Sequence, residues 1–169
     1  MKTSVGICHT CSAIVDTHLV TRNYNFEHNN TPCGLFNVDV YVCDKCDNFV
    51  SVPKHTYRLV EERKLILNAH AIYHSFSNPM TLLEYASAVD NGMVDFSDLI
   101  DGQWYVGYSR NTTKARYKAD TKEWFHYRYK WGMYIEDTTD AVSTTCTSDM
   151  FVPMHKTIPE TKHMKKEKV

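Results

Sequence analysis

Residues 7–15 read "ICHTCSAIV", and residues 41–50 answer with "YVCDKCDNFV". Each stretch carries two cysteines separated by two residues. That spacing lets both sulfurs of a tight turn converge on one metal ion while amide N–H groups of the turn bond the thiolates. Two such turns complete a tetrahedral four-sulfur set of Cys8, Cys11, Cys43 and Cys46, which leaves no coordination position for water or substrate. The pattern predicts a structural Zn2+ that folds the chain and does not catalyse. Between the pairs, residues 12–42 alternate apolar and polar side chains on both sides of "HNNTPCG", so two strands joined by a loop are expected to link the turns. Val38, Val40 and Val42 fall on one face of the second strand. Cys33 lies in the expected loop and Cys146 far downstream, neither with a partner at ligand spacing. His9, inside the first turn, and His55, nine residues after the second, are alternative ligands.

The chain has 169 residues, 43% hydrophobic and 23% charged, with 11 Tyr, 7 Phe and 3 Trp, a composition that folds. Its formal net charge of −1 excludes a globally basic nucleic-acid binder, so any anion site has to be local. No apolar run approaches the roughly 20 residues that cross a bilayer, and the start "MKTSVGICHT" lacks the apolar core of a secretory leader. No membrane partner and a cytoplasmic address are expected. Thiols stay reduced there, which favours metal ligands over disulfides.

The order of first turn, aromatic strand "RNYNF", glycine-bearing strand "GLFNVDVYVC", second turn and then a proline before a helix resembles the YgiT/MqsA-type zinc finger over residues 5–60. The resemblance implies Cys8, Cys11, Cys43 and Cys46 as ligands of a structural zinc, on a module that contacts a partner protein. The helix-turn-helix domain that follows the finger in those antitoxins has no counterpart here.

After Pro53, "KHTYRLVEERKLILNAHAIYHSF" predicts a helix with Leu59, Val60, Arg63, Leu67, Ala71 and Tyr73 or His74 along one face. Its His70 and His74, four apart, can present two nitrogens together. A second helix, "MTLLEYASAVDNG", is expected to start from a Ser77 or Asn78 cap with Pro79 in its first turn, to turn Leu82, Leu83, Ala86 and Val89 inward, and to stop at Gly92. Beyond it, "WYVGYSR", "ARYKA" and "WFHYRYKW" read as three short strands. Alternation puts Phe125, Tyr127, Tyr129 and Trp131 on one face of the third and His126, Arg128 and Lys130 on the other. The second strand sets Ala115, Tyr117 and Ala119 against Arg116 and Lys118. Pairing the two predicts a common face of Arg116, Lys118, Arg128 and Lys130. Residues 104–132 hold seven Lys or Arg and two acids, a local balance of +5 suited to phosphate. Acids on both flanks, among them Asp95, Asp98, Asp101 and Glu136, are the alternative partners of these cations.

Residues 100–154, with "DGQWYVGYSRN" and "DMFVP", are similar to small uncharacterised proteins of tailed phages and bacteria, which implies a compact β unit with Arg110, Asn111, Arg128 and Gly132 as distinctive positions. Tyr105, Gly107 and Arg116 also resemble the latter half of a GIY-YIG nuclease motif, whose Gly-Ile-Tyr half is missing here.

Together these readings predict an α+β chain: a four-cysteine zinc finger (1–53), a two-helix connector (54–92), an antiparallel β unit (93–155) and a basic flexible tail (156–169). The expected function is that of a zinc-stabilised interaction protein binding a protein or nucleic-acid machine of a host cell. Arg110, Asn111, Arg116, Lys118, Arg128 and Lys130 are its candidate phosphate ligands, and no residue is assigned a catalytic role. The alternative is an enzyme acting on a nucleotide or nucleic acid, with Glu136 or His126 as acid–base.

Overall fold

A computed structural model describes residues 4–77, 80–110, 112–130, 133–141 and 150–158, with backbone alone at 127–130 and 133–141. The chain divides into two compact units, Met1–Lys64 and Leu65–Val169. The division falls within one helix, so the segment 54–92 belongs to both.

The first unit is an antiparallel sheet in the order β1-β2-β3-β4, formed by Ser4–Cys8, Ala13–His28, Thr31–Cys43 and Phe49–Ser51. The long hairpin β2–β3 closes with His28 opposite Thr31 around Asn29 and Asn30, whose φ values of 50° and 61° suit a two-residue turn matched to strand twist. The turn is therefore tighter than the expected loop, and Cys33 sits in β3 opposite Phe26. Valines on alternate positions of β3 are buried as the pattern predicts, Val38, Val40 and Val42, with Val20, Tyr24, Leu35 and Val52 packed against them. A bulge between Arg22 and Tyr24 breaks the register, and Asn37, at φ 55°, donates its N–H to the Asn23 side chain there.

Helix α1 spans Lys54–Ser75. Thr56 and Val60 are buried in its first half, and Thr56 Oγ1 donates to the Asp39 carbonyl. Ala69 and Ile72 are buried in its second half. At about 100° per residue these pairs do not share a face, and the single predicted stripe is not formed: Leu59, Arg63 and Ala71 are exposed.

In the second unit α2 covers Leu82–Asp90, capped by Thr81, whose hydroxyl accepts the Glu84 N–H, while the Glu84 carboxylate accepts the Ser77 N–H. These bonds hold the Glu84 carboxyl below its usual range. The cap is thus Thr81, not Ser77; Asn78 and Pro79 lie outside the described residues. The inward face is also corrected. Leu82, Leu83 and Ala86 are exposed, whereas Tyr85, Ala88 and Val89 meet the core of Ala69, Ile72, Met80, Met93, Met150, Val152 and Met154. Starting at Thr81 sets the phase of a nine-residue helix, and its first two leucines fall on the outside.

A 3-10 turn, Phe96–Asp98, leads into a sheet of order β8-β7-β6-β5-β9: Trp104–Tyr108 (β5), Lys114–Lys118 (β6), Glu123–Lys130 (β7), Met133–Ala141 (β8) and Val152–Thr157 (β9). The three predicted strands are present. β9 takes in Lys156 and Thr157, which the sequence assigned to a flexible tail. Beneath β5, β6 and β7, Trp124 is fully buried, with ring centroids of Phe151, Tyr117 and Tyr105 at 4.7, 5.2 and 5.7 Å.

β9 reaches β5 across a bulge between Val106 and Gly107, and a Cβ at Gly107 would lie 1.9 Å from the Val152 carbonyl oxygen. A Gly107→Ala substitution therefore forces the two backbones apart and should cost about 3 kcal/mol in denaturant unfolding. Gly102, at φ +77° with nothing within 4 Å of the same position, should lose only about 1 kcal/mol on the same change. Equal losses would show that the close approach of β5 and β9 is not what selects glycine at 107.

Candidate metal centre and a cationic hollow

Strand ends deliver the four cysteines. Cys8 closes β1 and Cys43 closes β3, and Cys11 and Cys46 follow three residues on in matching turns. Ser12 and Asp47, each directly after the second cysteine of its turn, take φ values of 53° and 58°. Neither is glycine, so both turns hold left-handed backbone at a cost of about 1–2 kcal/mol each. The Cys11 N–H points at Cys8 Sγ and the Lys45 N–H at Cys43 Sγ, both at 3.4 Å. The second turn is closed by Asp47 N–H to the Cys43 carbonyl at 2.9 Å.

All four sulfurs lie within 4.8 Å of one another, with Cys8–Cys46 at 3.5 Å and Cys11–Cys43 at 3.9 Å, and none is in a disulfide. Tetrahedral bonds of about 2.3 Å from one metal to four thiolates place sulfurs about 3.8 Å apart, between the two measured values. The donor set fits a single metal ion. Its electrostatics say the same: the Cys11 N–H brings the Cys8 thiol down to about 7, while the Cys46 and Cys8 sulfurs push Cys11 up to about 12. The Cys8 thiolate forms readily and Cys11 resists a second charge, a resistance that a bound cation would remove. Val15 and Val50 pack over the cluster.

Neither alternative histidine joins the sulfurs. His55 Nε2 bonds Asp39 at 2.6 Å, and the converging group does not include His9. Sequence reasoning missed His18, which pairs its Nδ1 with Asp44 at 2.5 Å and lies with Nε2 3.7 Å from Asp47, tying β2 to the second turn. Its signal was its place opposite Val42 in the hairpin register, visible only once the register is known. His70 and His74 lie with ring centroids 4.3 Å apart, tilted by 58°, beside Tyr108. Among the described residues no third ligating side chain converges on them, and the four cysteines are the one such group of three or more.

Two of the phosphate candidates come together. Arg116 and Lys118 stand on one face of β6, opposite Phe125 and Glu123 of β7, and each cation lies 5.6 Å from the Phe125 ring centroid. Their neighbours Ala115 and Tyr117 point into the core, as alternation predicts. β7 has the opposite phase to the one expected. Trp124 and His126 are buried, 0% and 2% exposed, and it is Phe125 that shares the cationic face. Burying Trp124 among three rings outweighs the polarity of His126 and fixes the register, and His126 is thereby removed from solvent as an acid–base. Arg128 and Lys130 lie opposite Ile135 and Met133 of β8, beyond the residues that β6 pairs; their side chains, with that of Glu136, and all of Asn111 and Gly132, fall outside the described residues. Arg110 is exposed in the β5–β6 turn.

Arg116, Lys118 and Phe125 line a surface hollow of about 590 Å³, walled by Asp101, Gly102 and Asp120. The Tyr117 hydroxyl below is held neutral, its pKa raised by burial and then by Asp101. Of the nuclease-like residues only Arg116 lines the hollow. Tyr105 is fully buried with its hydroxyl accepting the Ile100 N–H, and Gly107 is the bulge residue against β9.

The chain matches no family model, no curated protein and no solved structure.

Elemental analysis of the purified protein is expected to find one metal ion per chain, lost in Cys43→Ser. Each thiol that becomes a ligand gives up a proton, so apparent affinity falls as pH falls. Below about 7 the Cys8 thiol is protonated as well as that of Cys11, and the loss steepens. The apparent binding constant should then drop by at least about 10²-fold per pH unit, measured by competition with a chromophoric chelator. A shallow, one-proton dependence would mean that the four sulfurs do not act together.

Proposed function

We propose that the protein is a non-catalytic interaction protein, braced by a structural zinc ion, that docks onto a protein or nucleic-acid machine of a host cell, with a phage as the source of the chain. The observation that carries this reading is the closed set of four sulfurs. Zn2+ suits it as a tetrahedral, redox-inert ion for soft thiolates. With four protein ligands in place, the ion has no position for a reacting water. Its contribution is to folding, and in small finger peptides that amounts to about 10–16 kcal/mol at neutral pH.

One observation favours the alternative of an enzyme acting on a nucleotide or nucleic acid: the cationic face is a hollow and not a convex surface. The hollow holds Arg116 and Lys118 beside two carboxylates, but not Arg110. Hydrolysis of nucleotides or nucleic acid that requires added magnesium and is lost in Arg116→Ala, with the melting profile kept, would establish the enzyme and displace the binding reading.

Two measurements test the proposal. The metal should be zinc and not iron, giving a colourless protein, and Cys43→Ser should unfold the first unit while hydrogen exchange still protects β5–β7 and β9 of the second. Pull-down from a bacterial lysate with intact protein, before and after nuclease treatment, should retain a discrete partner that the Cys43→Ser protein loses. Retention of that partner by the mutant would show that the zinc-braced unit takes no part in docking.

A further inference from the structure

The hollow beside β6 has a composition that a plain anion site does not need. Two cations would serve a phosphate alone, yet two carboxylates stand in the same walls and would repel it. The ligand such a surface fits has an anionic group and an N–H donor within a few ångströms of each other, and a flat face between them. We propose that the hollow is a subsite for one unpaired nucleotide of a single-stranded nucleic acid, with its phosphate against Arg116 and Lys118, its base on the Phe125 edge of the site, and an exocyclic amino group facing Asp101 and Asp120. The inference deepens the docking reading above and is independent of the zinc.

Three features of the site support it. The carboxylates around the site are held in place by hydrogen-bond donors. Asp101 accepts the Ala119 N–H at 2.8 Å, Asp120 the Thr121 N–H at 2.9 Å, and Asp95 the Ser97 N–H and the Tyr85 hydroxyl. Among the described residues no carboxylate lies within ion-pair distance of Lys118. Its ammonium rests on Phe125 and remains available to an incoming phosphate.

Geometry is the second feature. Arg116 and Lys118 are two residues apart on one strand, about 6.8 Å along it, with the Phe125 ring 5.6 Å from each. Both cations lie over the Phe125 ring, and a planar guanidinium held against a ring is a surface on which a base can stack, the sequence-tolerant contact used for single strands. The third is shape. A volume of about 590 Å³ falls within the range of about 300–1,000 Å³ typical of small-ligand sites. A base has to leave its partner strand to enter such a hollow, so a duplex, presenting phosphates alone, is not the fitting ligand.

The carboxylates then predict a preference. Carboxylate oxygens accept from the exocyclic amine of cytosine, and thymine offers no amine. Fluorescently labelled oligo(dC) and oligo(dT) of one length, with poly-glutamate as the acidic-peptide probe, are titrated into the full-length zinc-loaded protein at low and raised salt. Oligo(dC) should bind about tenfold more tightly than oligo(dT), with a log–log salt slope of about −0.7 per phosphate neutralised. Lys118→Gln should weaken both about tenfold and flatten the slope by roughly one phosphate, at an unchanged melting temperature. Asp101→Asn keeps an oxygen for the Ala119 N–H but drops the charge. It should tighten oligo(dT) binding and shrink the oligo(dC) advantage, two changes that a purely structural role for Asp101 would not produce.

No oligonucleotide binding at low salt overturns the inference, as does binding that Lys118→Gln leaves intact. Poly-glutamate binding as tight as oligo(dC) also overturns it and assigns the face to an acidic protein partner. A preparation with one zinc per chain and no oligonucleotide binding refutes the subsite alone. One that binds through Lys118 but holds no zinc refutes the zinc-braced reading alone.

Discussion

Four thiols held within 4.8 Å of one another form a closed donor set for a single cation, and the first unit is built around that set. Its strands are unequal: β1 has five residues and β4 three, beside a hairpin of 16 and 13. The buried side chains form two small clusters, one of valines and one that consists largely of the cysteines themselves. A core of that size cannot offset the chain entropy of some sixty residues unaided, the regime in which small modules recruit metals or disulfides. A metal ion held by the four cysteines would supply stabilisation where β1 and β3 end, at Cys8 and Cys43. It would also help to hold the left-handed backbone at Ser12 and Asp47, which glycine would adopt without strain.

The second unit is held by different physics. Trp124 and three aromatic neighbours fill the space under the sheet, and a separate methionine-rich cluster packs α2 and the end of α1 against β9. Burial of this kind fixes side-chain direction as well as stability. Because Ala115 and Tyr117 must face the rings, Arg116 and Lys118 must face away, and the pair is presented by a strand that cannot slip a residue without exposing a tryptophan.

What could be read from the sequence tracks how local the deciding interaction is. The cysteine set, the valine face of β3 and the in–out alternation of β6 are encoded in neighbouring residues, and all are present in the structure. The phase of β7 was not, because Trp124 and Phe125 are adjacent and either can be the inward ring. The choice is made by Tyr105 and Phe151, the latter 27 positions beyond Trp124. α2 failed similarly, since two adjacent leucines carry more apolar weight than Ala88, yet the cap at Thr81 and the core around Met150 and Met154 decide which face turns in. β9 was invisible as a strand because its pairing with β5 spans about fifty residues and because Lys156 and Thr157 read as polar tail.

Charge adds a last constraint on what the hollow can select. The chain as a whole carries −1, so no long-range field gathers polyanions to it. Within the site, two carboxylates offset two cations, which further weakens attraction to any ligand that is merely negative. Recognition then rests on arrangement: a ligand gains from Arg116 and Lys118 only if it can also satisfy, or stay clear of, Asp101 and Asp120. An arrangement of that kind gives up affinity for generic anions and gains discrimination among them. In the docking proposed above, it would suit a nucleic acid already held on a partner machine, where local concentration replaces electrostatic capture and the remaining task is to choose which exposed base to hold.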